Sequence, residues 1–298
     1  MSGSPAPAPS LPLAALARTV PPQETALHAA LAERVAAGKL ELPILPHAAA
    51  QVLALCGQED CDARQLADTL NRDPALAGHV LRVANSAAYT PREPIVSLQQ
   101  AVSRLGFSTL SQIALAVALR SRVFHVGGHE KLVRELWQHS ALAGAWAREI
   151  ARARRSNVEG AFLCGLLHDV GRPVVLQAAL DVAGELALTW SEPGIAAAMD
   201  EFHARGGALL VATWKMPSWM EAAVLWHHEP ERAGEHADEA RTTAFADLLA
   251  HDALAREPRT AVDWTALPLV AELGLYEEDV EALLAKGARV LELAGSLA

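Results

Sequence analysis

Two residues that can bind metals or transfer protons, His168 and Asp169, are adjacent at the end of an apolar run in the stretch GLLHDVGRP. Neither side chain is stable in an apolar core without a partner. Further candidates interrupt or end apolar helical segments beyond residue 130: His139, His203, His227, His228 and Asp247. Any one of these histidines alone is more simply explained as a core residue bonded to a backbone carbonyl. Together they favour one partner that all of them share.

A divalent cation is such a partner, because burying several uncompensated imidazoles and carboxylates costs several kcal/mol. Mixed nitrogen and oxygen ligands suit manganese, iron or nickel, and they also accept zinc. The adjacent pair suits a helix end, where Asp169 can bridge two metals while His168 holds one of them. The sequence therefore predicts a site for one or two divalent transition metal ions.

The elements that must position these residues are predicted to be helices. Half of the residues are hydrophobic, only 5% are aromatic, and Val and Ile do not alternate as strands require. Long helices are expected over 130–153, 158–168, 173–189, 193–214, 217–227, 237–255 and 277–296. Shorter ones are expected before them, over 23–37, 47–55, from Asp62 to Leu70, from Asp73-Pro74 onward and on either side of Gly106. These patterns predict an all-α fold.

Charge and composition exclude several classes of protein. The net charge is −10 and the pI is near 5.6, so the chain has no general attraction to nucleic acid or to an anionic membrane. A helix-turn-helix around Gly106 is disfavoured, because the second helix, SQIALAVALRS, is apolar nearly all round and must be buried. The sequence has no uninterrupted apolar run of about 18 residues, no signal-peptide pattern and three scattered cysteines. A cytoplasmic location is therefore expected.

Four segments carry a resemblance to a known family: LPILPHAAAQVLAL, NRDPALAGHVLRVANSAAY, SLQQAVSRLGFSTLSQIAL and ATWKMPSWMEAAVLWHH. They resemble the HDOD family, an HD-related output domain of bacterial signalling proteins, over about residues 38–250. The order H…HD…H…HH…D also resembles the wider HD superfamily of metal-dependent phosphohydrolases. The resemblance implies an HD-like helical domain over 130–252, with an N-terminal helical half over 23–129 packed against it.

Two segments flank this region. Residues 1–22 are rich in Pro and Ala and are expected to be a disordered tail. Residues 253–298 form a helical extension that either completes the core or makes a dimer contact, and the core is favoured.

The resemblance also implies roles for individual residues. Each of the following matches an HD-type metal ligand: His139, His168, Asp169, His203, His227, His228 and Asp247. Glu135, one turn before His139, matches a glutamate that related enzymes use. The branch that hydrolyses cyclic di-GMP carries Gly-Tyr-Pro after its paired histidines and Lys where this chain has Arg172. Here the Gly-Tyr-Pro is missing from HHEPERAGEHADEA, and Arg is a poorer general acid, so hydrolysis by that scheme is not expected.

Two functions stay open at this point. A regulatory module would bind a signalling partner protein or a nucleotide-type ligand, and this is the favoured interpretation. A metal-dependent phosphohydrolase acting on a nucleotide or cyclic dinucleotide would use Asp169 to bridge metals that activate a water and Arg172 to clamp a phosphate oxygen. Whether the chain is an enzyme is left open. Neither a membrane nor nucleic acid is expected as a partner.

Overall fold

The computed structural model describes residues 24–45, 47–56, 63–89, 93–123, 125–255 and 262–297. Within these ranges the chain is helical and contains no β-strand, which confirms the predicted fold class. The expected disordered tail lies outside the described residues. None of the helices in these ranges combines the length and the apolarity that a bilayer-spanning segment needs.

The N-terminal half contains α1 (Thr25–Ala36), α2 (His47–Cys56), α3 (Ala63–Asn71), α4 (Pro74–Ala84), α5 (Leu98–Leu105) and α6 (Phe107–Arg122). Helix α4 begins as the sequence predicts, because Asp73 accepts hydrogen bonds from the N–H groups of Ala75 and Leu76. Gly106 separates α5 from α6 with a φ of 83°, a conformation that favours glycine. Helix α6 is buried from Leu110 to Leu119, so it cannot enter a nucleic-acid groove.

The second half contains the helices that carry the candidate residues: α7 (Glu130–Arg154), α8 (Val158–Leu167), α9 (Gly171–Leu186), α10 (Glu192–Thr213), α11 (Ser218–Trp226) and α12 (Ala237–Ala253). A 3₁₀ segment, Pro230–His236, leads from α11 into α12. These bounds lie within three residues of the predicted ones.

Glycines let pairs of these helices approach closely. A Cβ atom on Gly165 of α8 would lie 2.6 Å from the carbonyl oxygen of Ala143 on α7. A Cβ atom on Gly171, at the start of α9, would collide with the carbonyl oxygen of His203 and the amide nitrogen of Gly207 on α10. Since Gly171 follows the His168-Asp169 pair, this contact sets how close that pair lies to His203.

The C-terminal extension departs from the sequence prediction. The single helix expected over 277–296 is wrong, because the segment forms α14 (Glu277–Leu284) and α15 (Gly287–Leu297). A 3₁₀ segment, Trp264–Ala266, and α13 (Pro268–Glu272) precede them. At the break the N–H of Lys286 bonds the carbonyl of Leu283, only three residues back, and Gly287 follows as a weak helix former.

Helix α15 packs on α7. Val290, Leu293 and Leu297 are buried there, and the indole N–H of Trp137 donates to the carbonyl oxygen of Leu297 at 3.1 Å. The apolar face of α15 therefore contributes to the core, while a dimer role for the extension stays a prediction.

Candidate metal centre

The structure brings seven of the eight sequence-predicted metal ligands into one cluster. His139 lies on α7, His203 on α10 and Asp247 on α12. The two adjacent pairs each follow the last residue of a helix: His168 and Asp169 after α8, His227 and His228 after α11. Six of the seven side chains are buried, and His228 is partly exposed.

One part of the cluster, called site A here, consists of His139, His168 and Asp247. The Nε2 atom of His139 lies 2.8 Å from Oδ1 of Asp247 and 3.2 Å from Nε2 of His168. The Nε2 atom of His168 lies 3.3 Å from the same aspartate oxygen. Three ligand atoms within 4.8 Å of one another can face a single cation.

The other part, called site B here, consists of His203, His227 and His228. The Nε2 atom of His203 lies 3.3 Å from Nε2 of His227 and 2.9 Å from Nε2 of His228. These three nitrogens also lie within 4.8 Å of one another. Site B is therefore a second group of three ligands, made entirely of imidazoles.

Asp169 lies between the two sites and directs one carboxylate oxygen at each. Its Oδ1 atom lies 3.3 Å from Nε2 of His203 and 4.0 Å from Nε2 of His227, on the side of site B. Its Oδ2 atom lies 3.7 Å from Nε2 of His168 and 3.8 Å from Nε2 of His139, on the side of site A. This is the placement that a carboxylate needs in order to bridge two cations.

Backbone contacts of three histidine rings determine which ring nitrogen faces the cluster. The Nδ1 atom of His203 lies 2.8 Å from the carbonyl oxygen of Met199, and that of His227 lies 2.7 Å from the carbonyl oxygen of Val224. A carbonyl oxygen can only accept, so each Nδ1 must carry a proton and donate it. In a neutral ring the Nε2 atom then presents a lone pair. Nδ1 of His168 donates in the same way to Gly165, at 2.7 Å.

These contacts test whether the residues fit a bound metal. The Nε2 lone pairs of His203 and His227 face each other at 3.3 Å, and their Nδ1 contacts leave no proton between them. Oδ1 of Asp169 and Nδ1 of His228 are buried and have no hydrogen-bond partner. Buried polar atoms are normally satisfied, and converging lone pairs repel. A cation in site B removes both problems, at Nε2 and at Oδ1, so this donor set fits a divalent metal. The three ligand atoms of site A lie close enough together to face a second cation.

The charges in the cluster follow from its burial and its neighbours. Burial acts to lower the pKa of His168, but the carboxylates of Asp169 and Asp247 outweigh it and raise that pKa to about 9. Burial and the cation of Arg172 lower the pKa of His203 to about 3. Burial and neighbouring His228 also lower the pKa of His227. At neutral pH and without a metal, His168 is therefore protonated, while His203 and His227 are neutral.

The guanidinium group of Arg172 donates hydrogen bonds to two carboxylates. Its Nε atom donates to Oδ2 of Asp169 at 2.6 Å, and its Nη1 atom donates to Oδ1 of Asp200 at 2.7 Å. Although burial opposes it, Arg172 holds the pKa of Asp169 well below its usual range. The sequence analysis missed Asp200, which lies three residues before His203 on α10 and so shares a helix face with a ligand.

Two other positions differ from what residue spacing suggests. Glu135 is exposed, and none of the groups of possible metal ligands in the described part of the chain includes it, so its role as a ligand stays a prediction.

The sequence analysis missed His251, although it lies one helical turn after Asp247. Its Nε2 atom is 3.4 Å from Oδ1 of Asp247, and its ring centroid is 4.3 Å from that of His139. The spacing of Asp247 and His251 on α12 was the available signal.

The HDOD domain family matches residues 42–230, which is more than half of the chain. The chain therefore belongs to the HDOD family, as the sequence motifs suggested. Asp247, the carboxylate of site A, lies beyond the matched residues.

Three individual proteins illustrate the similarity. A curated protein of Treponema pallidum (strain Nichols), described as uncharacterized, is 25% identical over 235 residues, covering 76% of this chain and 44% of that protein. The chain thus spans less than half the length of this relative. A candidate metal-dependent phosphohydrolase from Shewanella amazonensis SB2B has a TM-score of 0.71 at 21% identity, covering 92% of this chain and 99% of that one. A candidate signal transduction protein from Marinobacter aquaeolei VT8 has a TM-score of 0.68 at 24% identity, covering 91% and 66%. At these identities the two solved structures support the fold alone.

Proposed function

We propose that this protein is a regulatory HDOD protein with a two-metal centre, formed by sites A and B and bridged by Asp169. The observation that carries the metal centre is the convergence of unprotonated Nε2 atoms and of the unsatisfied Oδ1 atom of Asp169. Nitrogen and oxygen donors in this mixture suit manganese, iron, nickel or zinc. When bound, such ions supply Lewis acidity and fix the helices that deliver their ligands.

The position of Arg172 favours regulation over hydrolysis. In a phosphohydrolase this side chain was expected to clamp a phosphate oxygen. Here its guanidinium is directed at two carboxylates, with donor–acceptor distances of 2.6 and 2.7 Å. An arginine engaged in this way orients Asp169, because two of its three nitrogen atoms already donate to carboxylates of the protein. The proposal includes a cytoplasmic location and a signalling partner protein or nucleotide-type ligand that provides the input.

Metal-dependent phosphohydrolysis is the second candidate, and a specific observation supports it. The complete set of seven ligands is retained, and His228 is partly exposed, so solvent reaches the edge of site B. The Shewanella structure carries a name of this class. In that case Arg172 would act through Asp169, by holding the carboxylate in its bridging orientation, and would not touch the substrate.

Metal analysis tests the centre. Protein purified without chelators should contain about two transition metal ions per chain by mass spectrometry, and Asp169→Asn should contain one or fewer. Asp181→Asn is the matched control, because Asp181 lies on α9 and its carboxylate accepts from Gln177, away from the cluster. Metal-free wild-type protein would refute the proposal.

An activity panel separates the two functions. Mononucleotides, cyclic dinucleotides and phosphomonoesters would be incubated with Mn²⁺ and with wild-type protein or Asp169→Asn. We expect equal, background release of product from both proteins. Faster release by the wild type would show that the chain is an enzyme and would overturn the purely regulatory function.

A further inference from the structure

A large cleft lies in the N-terminal half, and its lining includes none of the metal-centre residues. Its volume is about 1030 Å³, at the upper end of the range for small-molecule sites. It is lined by the segment before α2, the start of α2, the turn between α3 and α4, and the end of α6. The cleft is thus large enough for a ligand of several rings.

Two arginines of the cleft have no salt bridge among the residues that the structure describes. Arg72 and Arg120 line it, and neither has an ion-pair partner within the described part of the chain. Burial and the nearby cations of Arg134 and Arg82 lower the pKa of Arg120, so further positive charge lies close by. In a chain of net charge −10, this local excess of positive charge is unexpected and indicates an anionic ligand.

The remaining polar lining residues agree with this charge. Three histidines, His47, His79 and His125, line the cleft and can donate hydrogen bonds. The acidic residue among the lining residues is Asp73, and its carboxylate already accepts from two backbone N–H groups at the start of α4. Asp73 therefore serves as a helix cap and forms no salt bridge with Arg72 or Arg120, so the two cations outnumber the one carboxylate and can bind another anion.

Part of the cleft lining is apolar. Ile44, Leu45, Leu76 and Val117 contribute to it; Leu76 and Val117 are buried, whereas Ile44 is 89% exposed. Ile44 is exposed and Leu45 is partly exposed, so aliphatic surface is accessible in a cleft that also contains guanidinium groups, which suits a molecule with a flat ring system and a phosphate. Arginine binds phosphate through two parallel N–H groups and also stacks on planar rings.

We propose that this cleft binds a free nucleotide. Arg72 and Arg120 hold its phosphate, and its base packs against Ile44 and Leu45. The role of the nucleotide as an input signal rests on the proposed regulatory function, whereas its binding does not. The proposal thereby assigns to the N-terminal half a class of ligand, a free nucleotide, and the cleft as its binding site.

Isothermal titration calorimetry on the full chain tests this proposal. The probes are AMP, GMP, cyclic di-GMP, inorganic phosphate and a short single-stranded DNA. At least one nucleotide should bind once per chain, and Arg72→Gln and Arg120→Gln should each weaken it by about tenfold or more. Arg64→Gln removes an exposed arginine of α3 outside the cleft and should change affinity by less than about twofold.

Two further measurements keep this test separate from that of the metal centre. Nucleotide affinity should be unchanged in Asp169→Asn, and metal content should be unchanged in both cleft variants. The proposal is overturned if no nucleotide binds, if the cleft variants bind as tightly as the wild type, or if Asp169→Asn alone abolishes binding. It is also overturned if phosphate binds as tightly as the nucleotides, or if DNA binds more tightly than they do.

Discussion

Replacing Arg172 with alanine is expected to destabilise the metal-free protein by about 3–5 kcal/mol, the usual cost of breaking a buried ion pair. The magnitude follows from its contact with Asp169, where the two side chains are 14% and 3% exposed and the donor–acceptor distance is 2.6 Å. Asp200 is 27% exposed and can be hydrated, so its contact adds at most about 1 kcal/mol. The main cost is the buried carboxylate of Asp169, which loses its closest cation.

Urea denaturation followed by circular dichroism measures this effect, once with a chelator and once with Mn²⁺. A cation bound beside Asp169 replaces the missing positive charge, so the loss of stability should be smaller with Mn²⁺ than without it. Arg205→Ala is the control, because Arg205 is an exposed arginine of α10, and it should change stability by less than about 0.5 kcal/mol. A loss below about 1 kcal/mol without metal would refute the reasoning about Asp169. An equal loss with and without Mn²⁺ would refute the position of the cation.

Two further predictions concern the proton on His168 and the packing of α9. Because the pKa of His168 is raised to about 9, a metal must displace its proton at neutral pH. The apparent metal affinity should therefore rise by up to about tenfold per pH unit between pH 6.5 and 8. Chelator competition measures this affinity, and an affinity that does not change with pH would contradict the prediction. Gly171→Ala should lower both stability and metal content, since its Cβ would collide with the backbone of α10. Gly184→Ala in the same helix is the control, because a Cβ atom at Gly184 would have no other atom within 4 Å. It should stabilise the protein by about 0.5–1 kcal/mol in thermal melts. Equal effects of the two substitutions would contradict the packing argument.

Much of the candidate metal centre was predictable because its residues are chemically out of place. Histidine and aspartate within apolar helical segments need a partner, and several of them predict a shared one. The sequence could not assign these residues to the two sites. His168 and Asp169 are adjacent in the chain, but Nε2 of His168 and Oδ2 of Asp169 face site A, whereas Oδ1 of Asp169 faces site B. That division depends on how the helices pack.

The features that the sequence analysis missed or left untested depend on tertiary packing. Glu135 lies one turn before His139 on α7 and is exposed, although Val133 and Trp137 on either side of it are buried, and spacing alone does not reveal which side chains of this turn packing covers. Asp200 supports the site only through Arg172, so it has no ligand pattern of its own. The break in the C-terminal extension was hidden because the apolar residues keep a helical period on both sides of it.

The carbonyl contacts of His168, His203 and His227 have a consequence for metal selection. Each ring is held by the carbonyl of a residue three or four positions earlier, near the end of its own helix or within it. Rotamer freedom is therefore lost when the chain folds and not when an ion arrives, so the site is preorganised. A rigid scaffold of this kind would present the same pocket to several transition ions. Under the proposed function, the ion that occupies it would depend on intrinsic affinity and on cellular supply.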